Sequence, residues 1–152
     1  MESQGDRFTF IHENQGVWSC ETLADVIDPP VYSDAIAYEP GEREGTMREV
    51  CPRLSHFLVT YCLHEIVLGS RNLLCVESTV AEPASLATAK CDPIWLNGWF
   101  VFGRPTHSFY LCGDSLLIMD TGGDYWLAYN EPHGGELIAA DADVRVLHSR
   151  SN

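Results

Sequence analysis

The chain has 152 residues, 45% of them apolar, which is enough for a single domain with one hydrophobic core. Acidic residues outnumber basic ones by 22 to 9, so the formal net charge is -13. A surface of this sign repels nucleic-acid phosphates and anionic lipid head groups, which makes both poor candidate partners and favours a basic protein or a cation. The simpler alternative is that the acidic charge only maintains solubility.

The six cysteines show no C-x-x-C spacing, so neither a zinc knuckle nor a thioredoxin-type motif is present. The segment MESQGD at the start is polar and acidic and contains no apolar stretch typical of a secretory signal. An even number of cysteines also allows disulfides. Because most of them stand among apolar neighbours, we expect reduced, buried thiols in a cytoplasmic protein. No apolar run approaches the length of a membrane-spanning helix.

The N-terminal segment predicts a β-hairpin. Strands are expected over Phe8–His12 and Val17–Thr22, because both runs are rich in aromatic and β-branched residues. The linking Asn-Gln-Gly ends in a glycine that can take a positive φ. The Pro29-Pro30 pair that follows lacks backbone N–H donors and cannot lie in a central strand. Val31-Tyr32 is therefore predicted to form an edge strand.

The clearest predicted helix follows an exposed, charged loop over residues 39–50. Pro52 suits its first turn and Gly69 its end. An apolar stripe at helical spacing is predicted to face the core, and it consists of Leu54, Phe57, Leu58, Tyr61 and Cys62. Glu65 continues this stripe, so we expect a partly buried acid that pairs with an arginine or a backbone donor. A catalytic carboxylate is the less favoured alternative.

The C-terminal half is predicted to be mainly antiparallel sheet. One strand is expected at NLLCVES, and the runs HSFYLCG, SLLIMD and DYWLAYNE predict a three-stranded meander joined by glycine-containing turns. Residues 79–93 suit one short helical turn, Asn97-Gly98 suits a hairpin turn or a bend, and the final segment suits a strand or a short helix. The predicted fold class is α+β, a mostly antiparallel sheet with one main amphipathic helix packed on it.

Motifs that carry chemistry are absent from the sequence. There is no G-x-S-x-G nucleophile elbow, no phosphate-binding glycine loop and no H-E-x-x-H pair. The segment Asp120–Asp124 matches a calcium loop only in its acid and glycine content, and a tight β-turn is the better interpretation. We therefore predict no catalytic residues, no metal site and no cofactor.

Two segments, FTFIHENQGVWSCETLADVIDPPVY and LSHFLVTYCLHEIVLG, resemble the SMI1/KNR4-like domains of the SUKH superfamily. The resemblance is carried by an E-N-Q-G-V turn at Glu13–Val17, a D-P-P-V segment at Asp28–Val31 and an L-S-x-F-L helix start at Leu54–Leu58. An acid and a glycine, Glu65 and Gly69, stand near the helix end as in the family.

The later run SFYLCGDSLLIMD is also similar to the family's terminal strands, although Ser108 stands where the family has an arginine. The resemblance extends from Phe8 to Tyr129. Such domains usually begin with helices before the hairpin, so we expect a version shortened at its N-terminus, forming a single domain over residues 1–152.

The resemblance implies an α+β fold that binds and does not catalyse. Many bacterial members resemble immunity proteins, which neutralise a cognate toxin, often a nuclease, whereas eukaryotic relatives are interaction and scaffold proteins. We expect a cytoplasmic immunity-type binder that blocks the active cleft of a basic toxin. The alternatives are a general scaffold domain of the same fold and, less favoured, a small enzyme or ligand binder that uses Glu65 or a histidine. The acids expected to contact the partner are Glu42, Glu44 and Glu49 in the charged loop and Asp120 and Asp124 in the turn.

Overall fold

The computed structural model describes residues 6–35, 46–78, 91–98, 106–120, 124–129 and 144–150. All described strand pairs are antiparallel. The elements in chain order are β1 (Arg7–His12), β2 (Ser19–Leu23), β3 (Val31–Ser33), β4 (Arg48–Cys51), α1 (Leu54–Leu68), β5 (Leu73–Ser78), β6 (Asp92–Asn97), β7 (His107–Cys112), β8 (Ser115–Asp120), β9 (Tyr125–Ala128) and β10 (Val144–Arg150). The predicted α+β class, with a single helix packed on a sheet, is confirmed.

The chain divides into two compact units. The first comprises residues 1–59 and 99–105, and its described strands form a four-stranded sheet in the order β1-β2-β3-β4. The second comprises residues 60–98 and 106–152, with a six-stranded sheet in the order β10-β5-β9-β8-β7-β6. The boundary lies within α1, and the prediction of a single domain stays a prediction.

The predicted N-terminal hairpin is confirmed, and its loop is closed by the side chain of Glu13. One carboxylate oxygen of Glu13 accepts hydrogen bonds from the backbone N–H groups of Gln15 (2.8 Å) and Val17 (3.2 Å). Gly16 has a φ of 71°, a conformation that glycine adopts without a steric penalty. The E-N-Q-G-V sequence is therefore explained by the hydrogen bonding and backbone geometry of the loop.

Two predictions for the next strands are wrong. β3 was expected at an edge but lies between β2 and β4, since both prolines precede the strand and remove no hydrogen bond from its ladder. The charged loop expected over residues 39–50 is wrong at its C-terminal end, because Arg48–Cys51 form strand β4, while residues 39–45 lie outside the described residues. Tertiary pairing with β3 outweighs the low strand propensity of the charged residues there.

The predicted helix is confirmed as α1, and its first turn is satisfied by a distant segment. The backbone N–H of Leu54 donates to the carbonyl of Pro29 at 2.7 Å. Asp28 accepts two more hydrogen bonds, from the backbone N–H of Ser55 at 2.7 Å and from its hydroxyl at 2.8 Å. Asp28 has a positive φ of 49°, which aims its carboxylate at the helix. The D-P-P segment thus serves as the N-terminal cap of α1.

The predicted apolar stripe of α1 is partly wrong. Phe57, Thr60 and Val67 are buried, whereas Leu58 is 40% exposed and the thiol-bearing Cys62 is also exposed. Exposed apolar residues, including Val59 and Ile66, occupy the opposite side of the helix. Because apolar residues surround the helix, spacing alone does not identify its buried face.

The expectation for Glu65 is also wrong, because its side chain is 55% exposed. The largely buried titratable group is the preceding residue, His64, whose side chain is 15% exposed. The ring of His64 lies 3.6 Å from a carboxylate oxygen of Glu65, measured from Nδ1. Glu65 therefore lies outside the core and continues no buried stripe.

Helix α1 contributes to the core of both units. In the first unit the ring of Phe57 meets Phe10 edge to face, with the centroids 6.0 Å apart. In the second, Val67 joins a buried cluster on one face of the six-stranded sheet, and that cluster also contains Leu73, Phe109, Ile118 and Ala128. The opposite face of this sheet carries its own buried cluster of Leu74, Leu117, Tyr125 and Leu127.

The predicted meander is confirmed as β7, β8 and β9, and the final segment contains a strand, β10. β6 ends at Asn97, and Gly98 has a φ of 122°. The short helical turn proposed for residues 79–93 falls mostly outside the described residues, while Asp92 and Pro93 lie in β6. In the described part of the chain, no helix is long and apolar enough to cross a membrane.

The prediction of reduced, buried thiols is wrong for four of the six cysteines, two of which are not reduced. Cys91 and Cys112 form a disulfide, with Cα atoms 4.4 Å apart. They face each other across β6 and β7, a relationship that their separation of 21 residues in sequence does not reveal. Cys62 and Cys75 are free, but Cys62 is exposed and Cys75 is only partly buried. The prediction is right for Cys20 and Cys51, which are free and buried.

Adjacent positions near the end of α1 test which helix face is buried. Val67→Ala should lower the free energy of unfolding by about 2 kcal/mol, because it leaves a cavity in the cluster on the sheet. Ile66→Ala, at a position 58% exposed, should change it by less than about 0.5 kcal/mol. Urea unfolding followed by circular dichroism measures both, and equal effects would contradict the assigned face.

The cap formed by Asp28 is tested by a second set of variants. Asp28→Ala removes both hydrogen bonds to Ser55 and places alanine at a positive φ, so the thermal midpoint should fall. Asp28→Asn should lose less, since asparagine tolerates this conformation and still accepts one bond. Asp25→Ala, in the same exposed loop, is the control. Thermal unfolding in which Asp25→Ala and Asp28→Ala behave alike would rule out the cap.

Candidate functional site

The five acids predicted to bind a partner do not form one described cluster. Glu42 and Glu44 lie outside the described residues. Glu49 lies on β4 in the first unit, whereas Asp120 and Asp124 lie at the β8–β9 connection in the second. Each location is therefore considered separately.

Glu49 lies on the solvent-facing side of the four-stranded sheet. It is exposed and pairs in register with Tyr32 of β3, which in turn pairs with Glu21 of β2. Residues that pair directly across a sheet share a face, so the phenol ring stands between two carboxylates. The guanidinium of Arg7 covers this ring at 3.8 Å from its centroid. We call Arg7, Glu21, Tyr32 and Glu49 the polar face.

The other side of the same sheet is buried and holds the polar face in place. Alternate residues of β2 and β3, Cys20, Thr22, Val31 and Ser33, are all at most 1% exposed. The hydroxyl of Thr22 donates to the carbonyl of Pro30 at 2.9 Å, which ties β2 to the turn before β3. Strands packed on one side present the polar face as an ordered surface even though the register shifts next to Tyr32, so a partner would meet it with little loss of conformational entropy.

Asp120 and Asp124 are brought together, but the Asp120 carboxylate accepts a hydrogen bond from the backbone of Asp124. One carboxylate oxygen of Asp120 accepts the backbone N–H of Asp124 at 3.0 Å, and the backbone N–H of Asp120 donates to the Asp124 carbonyl at 2.9 Å. Both residues are half-buried. The tight turn predicted between them falls on residues 121–123, which lie outside the described residues. The contacts give Asp120 a structural role in addition to the partner contact expected of it.

A pair of histidines in the second unit was not predicted. His64 of α1 and His107 of β7 meet edge to face, with the ring centroids 5.5 Å apart. The ring of Trp126 lies 6.1 Å from that of His107. Thr106 holds His107 through a 2.9 Å contact between its hydroxyl and Nδ1, and Asp120 pairs with His107 across β7 and β8. We call His64 and His107 the histidine pair.

Burial keeps the histidine pair neutral at ordinary pH. It lowers the pKa of His64 to about 4. Burial also lowers the pKa of His107 to about 4, with a further decrease from His64 that Asp120 partly opposes. Burial removes the water that would stabilise a charged imidazole, and charging both rings would place two cations together. A neutral imidazole can accept a proton or a metal ion, so this is the most chemically capable cluster described.

The other reactive groups offer less chemistry. Burial raises the pKa of Cys20 to about 11, and it also raises the pKa values of Cys51 and Cys75. These thiols are therefore protonated and poorly nucleophilic at neutral pH. Among the residues described, no group of three or more His, Cys, Asp or Glu side chains is placed to hold a metal ion.

Comparison with protein-family models, curated proteins and solved structures finds no match to this chain. The polar face was only partly accessible from sequence, since Glu49 was predicted but its pairing with Tyr32 and Glu21 depends on the strand order. The histidine pair was missed because His64 and His107 are 43 residues apart in the sequence, one on a helix and the other on a strand. The available signal was the position of His64 three residues before Val67, a helical spacing that shares the buried face.

The histidine pair predicts a loss of stability in mild acid. Because both folded-state pKa values lie near 4, below the ordinary 6.5, the unfolded chain takes up protons first as the pH falls below 6.5. The free energy of unfolding should therefore decrease between pH 6.5 and 4, by about 3 kcal/mol for His64 alone. Urea unfolding at a series of pH values measures this.

The double variant His64→Gln/His107→Gln should flatten the dependence over that range, and His12→Gln, at an exposed position on β1, is the matched control. If the double variant does not fold, an NMR titration of the wild-type imidazole signals gives the two pKa values directly. Titration of both rings near 6.5 would contradict their burial.

Proposed function

We propose that this chain is a non-catalytic protein-binding domain of the immunity type, which neutralises a cognate toxin in the cytoplasm by blocking its active cleft. The resemblance to SMI1/KNR4-like domains supports this proposal, as does the net charge of -13. The structural observation that supports it most directly is the polar face, where a tyrosine stands between two carboxylates on a rigid sheet.

The polar face has the composition expected of a surface that recognises a basic partner. Glu21 and Glu49 supply negative charge, and Tyr32 supplies flat apolar area, a residue type that is enriched in protein interfaces. Arg7 covers Tyr32, so the ring accepts a guanidinium. A cationic side chain of a partner would compete with Arg7 for the same ring face. A basic cleft that normally holds nucleic acid is a matching surface.

The overall charge would act earlier, during association. An acidic protein and a basic one attract each other over about a Debye length, roughly 8 Å at physiological salt, and this raises the association rate. Contacts on the polar face would then determine how long the complex lasts. Blocking requires no chemical step, so the proposal assigns no catalytic residue, metal or cofactor.

A general scaffold domain of the same fold would use the same surface without inhibiting an enzyme. A small ligand binder is favoured by a different observation, the neutral histidine pair beside Trp126. The two alternatives therefore make separate predictions, since the first depends on Glu49 and the second on His107.

The proposal is tested by capturing the partner from the source cell, identifying it by mass spectrometry and measuring association of the purified proteins. Glu49→Lys should slow association roughly 3- to 10-fold at low ionic strength, with a smaller effect in high salt. Asp114→Lys, on the exposed β7–β8 turn, changes the net charge equally and should have less effect. Activity of the captured protein, with and without the chain, shows whether binding inhibits.

Three results would count against the proposal. Equal effects of the two substitutions would remove the polar face from the interface. A partner whose enzymatic activity is unaffected by saturating amounts of the chain would favour the scaffold alternative. Loss of binding only on substitution of His107 would favour the ligand binder.

A further inference from the structure

We propose that the Cys91–Cys112 disulfide is a redox-sensitive clamp on edge strand β6, a site where a small thiol such as glutathione reacts and releases the strand. The proposal is independent of the proposed partner. It depends on where the disulfide lies in the six-stranded sheet and on how little else described holds β6 there.

The disulfide joins the outermost strand of the sheet to its one described neighbour. The strand order ends in β8-β7-β6, so β6 pairs with β7 and leaves its other edge unpaired in the described structure. Cys91 immediately precedes β6 and Cys112 ends β7, directly beyond the Asp92↔Leu111 pair. Their Cα separation of 4.4 Å is that of closely spaced residues facing each other across antiparallel strands.

The rest of the β6–β7 ladder is short and irregular. Regular pairing runs from Asp92 to Ile94, and the register then shifts before Asn97 pairs with Ser108. Pro93, in the middle of the regular part, has no N–H to donate. Ile94 contributes a partly buried contact with the cluster below α1. Among the described contacts, the disulfide is the covalent link that holds β6 to the sheet in addition to this ladder.

Both sulfur-bearing residues are within reach of a small reductant. Cys91 and Cys112 are each partly exposed, unlike the buried Cys20 and Cys51. A glutathione thiolate attacks one sulfur, which forms a mixed disulfide and releases the other cysteine as a thiolate that takes up a proton. A second glutathione thiolate then attacks the mixed disulfide. The products are two protein thiols and one oxidised glutathione, so two electrons pass from glutathione to the protein.

Reduction would open a loop of about twenty residues and restore its conformational freedom. In the chain-entropy description, a disulfide that closes a loop of this size raises the equilibrium ratio of paired to separated strands on the order of a hundredfold. Once β6 separates, the N–H and C=O groups on the outer side of β7 become free to pair with another extended chain. This step rests on the cytoplasmic location in the proposed function, because a disulfide in that compartment is typical of redox sensing rather than of permanent structure.

Hydrogen exchange under defined redox conditions tests the clamp. The full-length chain is incubated with oxidised or millimolar reduced glutathione, and amide exchange is followed by mass spectrometry. Reduction should accelerate exchange in β6 and the facing part of β7 by up to about a hundredfold, while β8 and β9 change little. Alkylation and peptide mapping establish in parallel whether Cys91 and Cys112 are linked.

The variant Cys91→Ser/Cys112→Ser should show fast exchange in β6 under both conditions, and Cys62→Ser should behave like the wild type. If the double variant fails to fold, reduction of the wild-type protein gives the same comparison. The proposal is overturned if the oxidised chain lacks the Cys91–Cys112 peptide, if millimolar glutathione leaves the bond intact, or if exchange in β6 does not respond to its reduction.

Discussion

The first unit depends on the contact between the D-P-P segment and the start of α1. A helix begins with backbone N–H groups that have no partner within the helix, and here Asp28 and Pro29, which lie far earlier in the chain, accept those of Ser55 and Leu54. The two Ser55 bonds also hold the pKa of Asp28 below its usual value. The same turn delivers the chain into β3, so one contact sets both the helix origin and the entry to the middle of the sheet.

Patterns that depend on neighbouring residues were predicted well from sequence. The hairpin, α1 and the meander all follow from short-range spacing and glycine positions, and all three are present. What failed depends on pairing between distant segments. β3 proved interior because the charged segment before α1 formed β4 beside it. Glu65 proved exposed, since apolar residues on all sides of α1 concealed which face is buried. Cys91 and Cys112 form a disulfide because the alignment of two strands brings them together. Prediction of the candidate site failed for the same reason, since Glu49 was identified from the sequence but its neighbours across the strands were not.

The two surfaces singled out have contrasting electrostatics. The polar face keeps its carboxylates in contact with water, where a charged partner can reach them, and Arg7 is the cation described there. The histidine pair is withdrawn from water and held neutral by that withdrawal. The first arrangement favours recognition of a macromolecule, and the second contributes to the core while making the core sensitive to acid.

The position of α1 has a consequence for how the molecule denatures. Its residues 54–59 belong to one compact unit and 60–68 to the other. Phe57 contributes to the core of the first and Val67 to the core of the second. Melting of α1 should therefore withdraw a buried side chain from each core, so that a substitution that breaks this helix weakens both units.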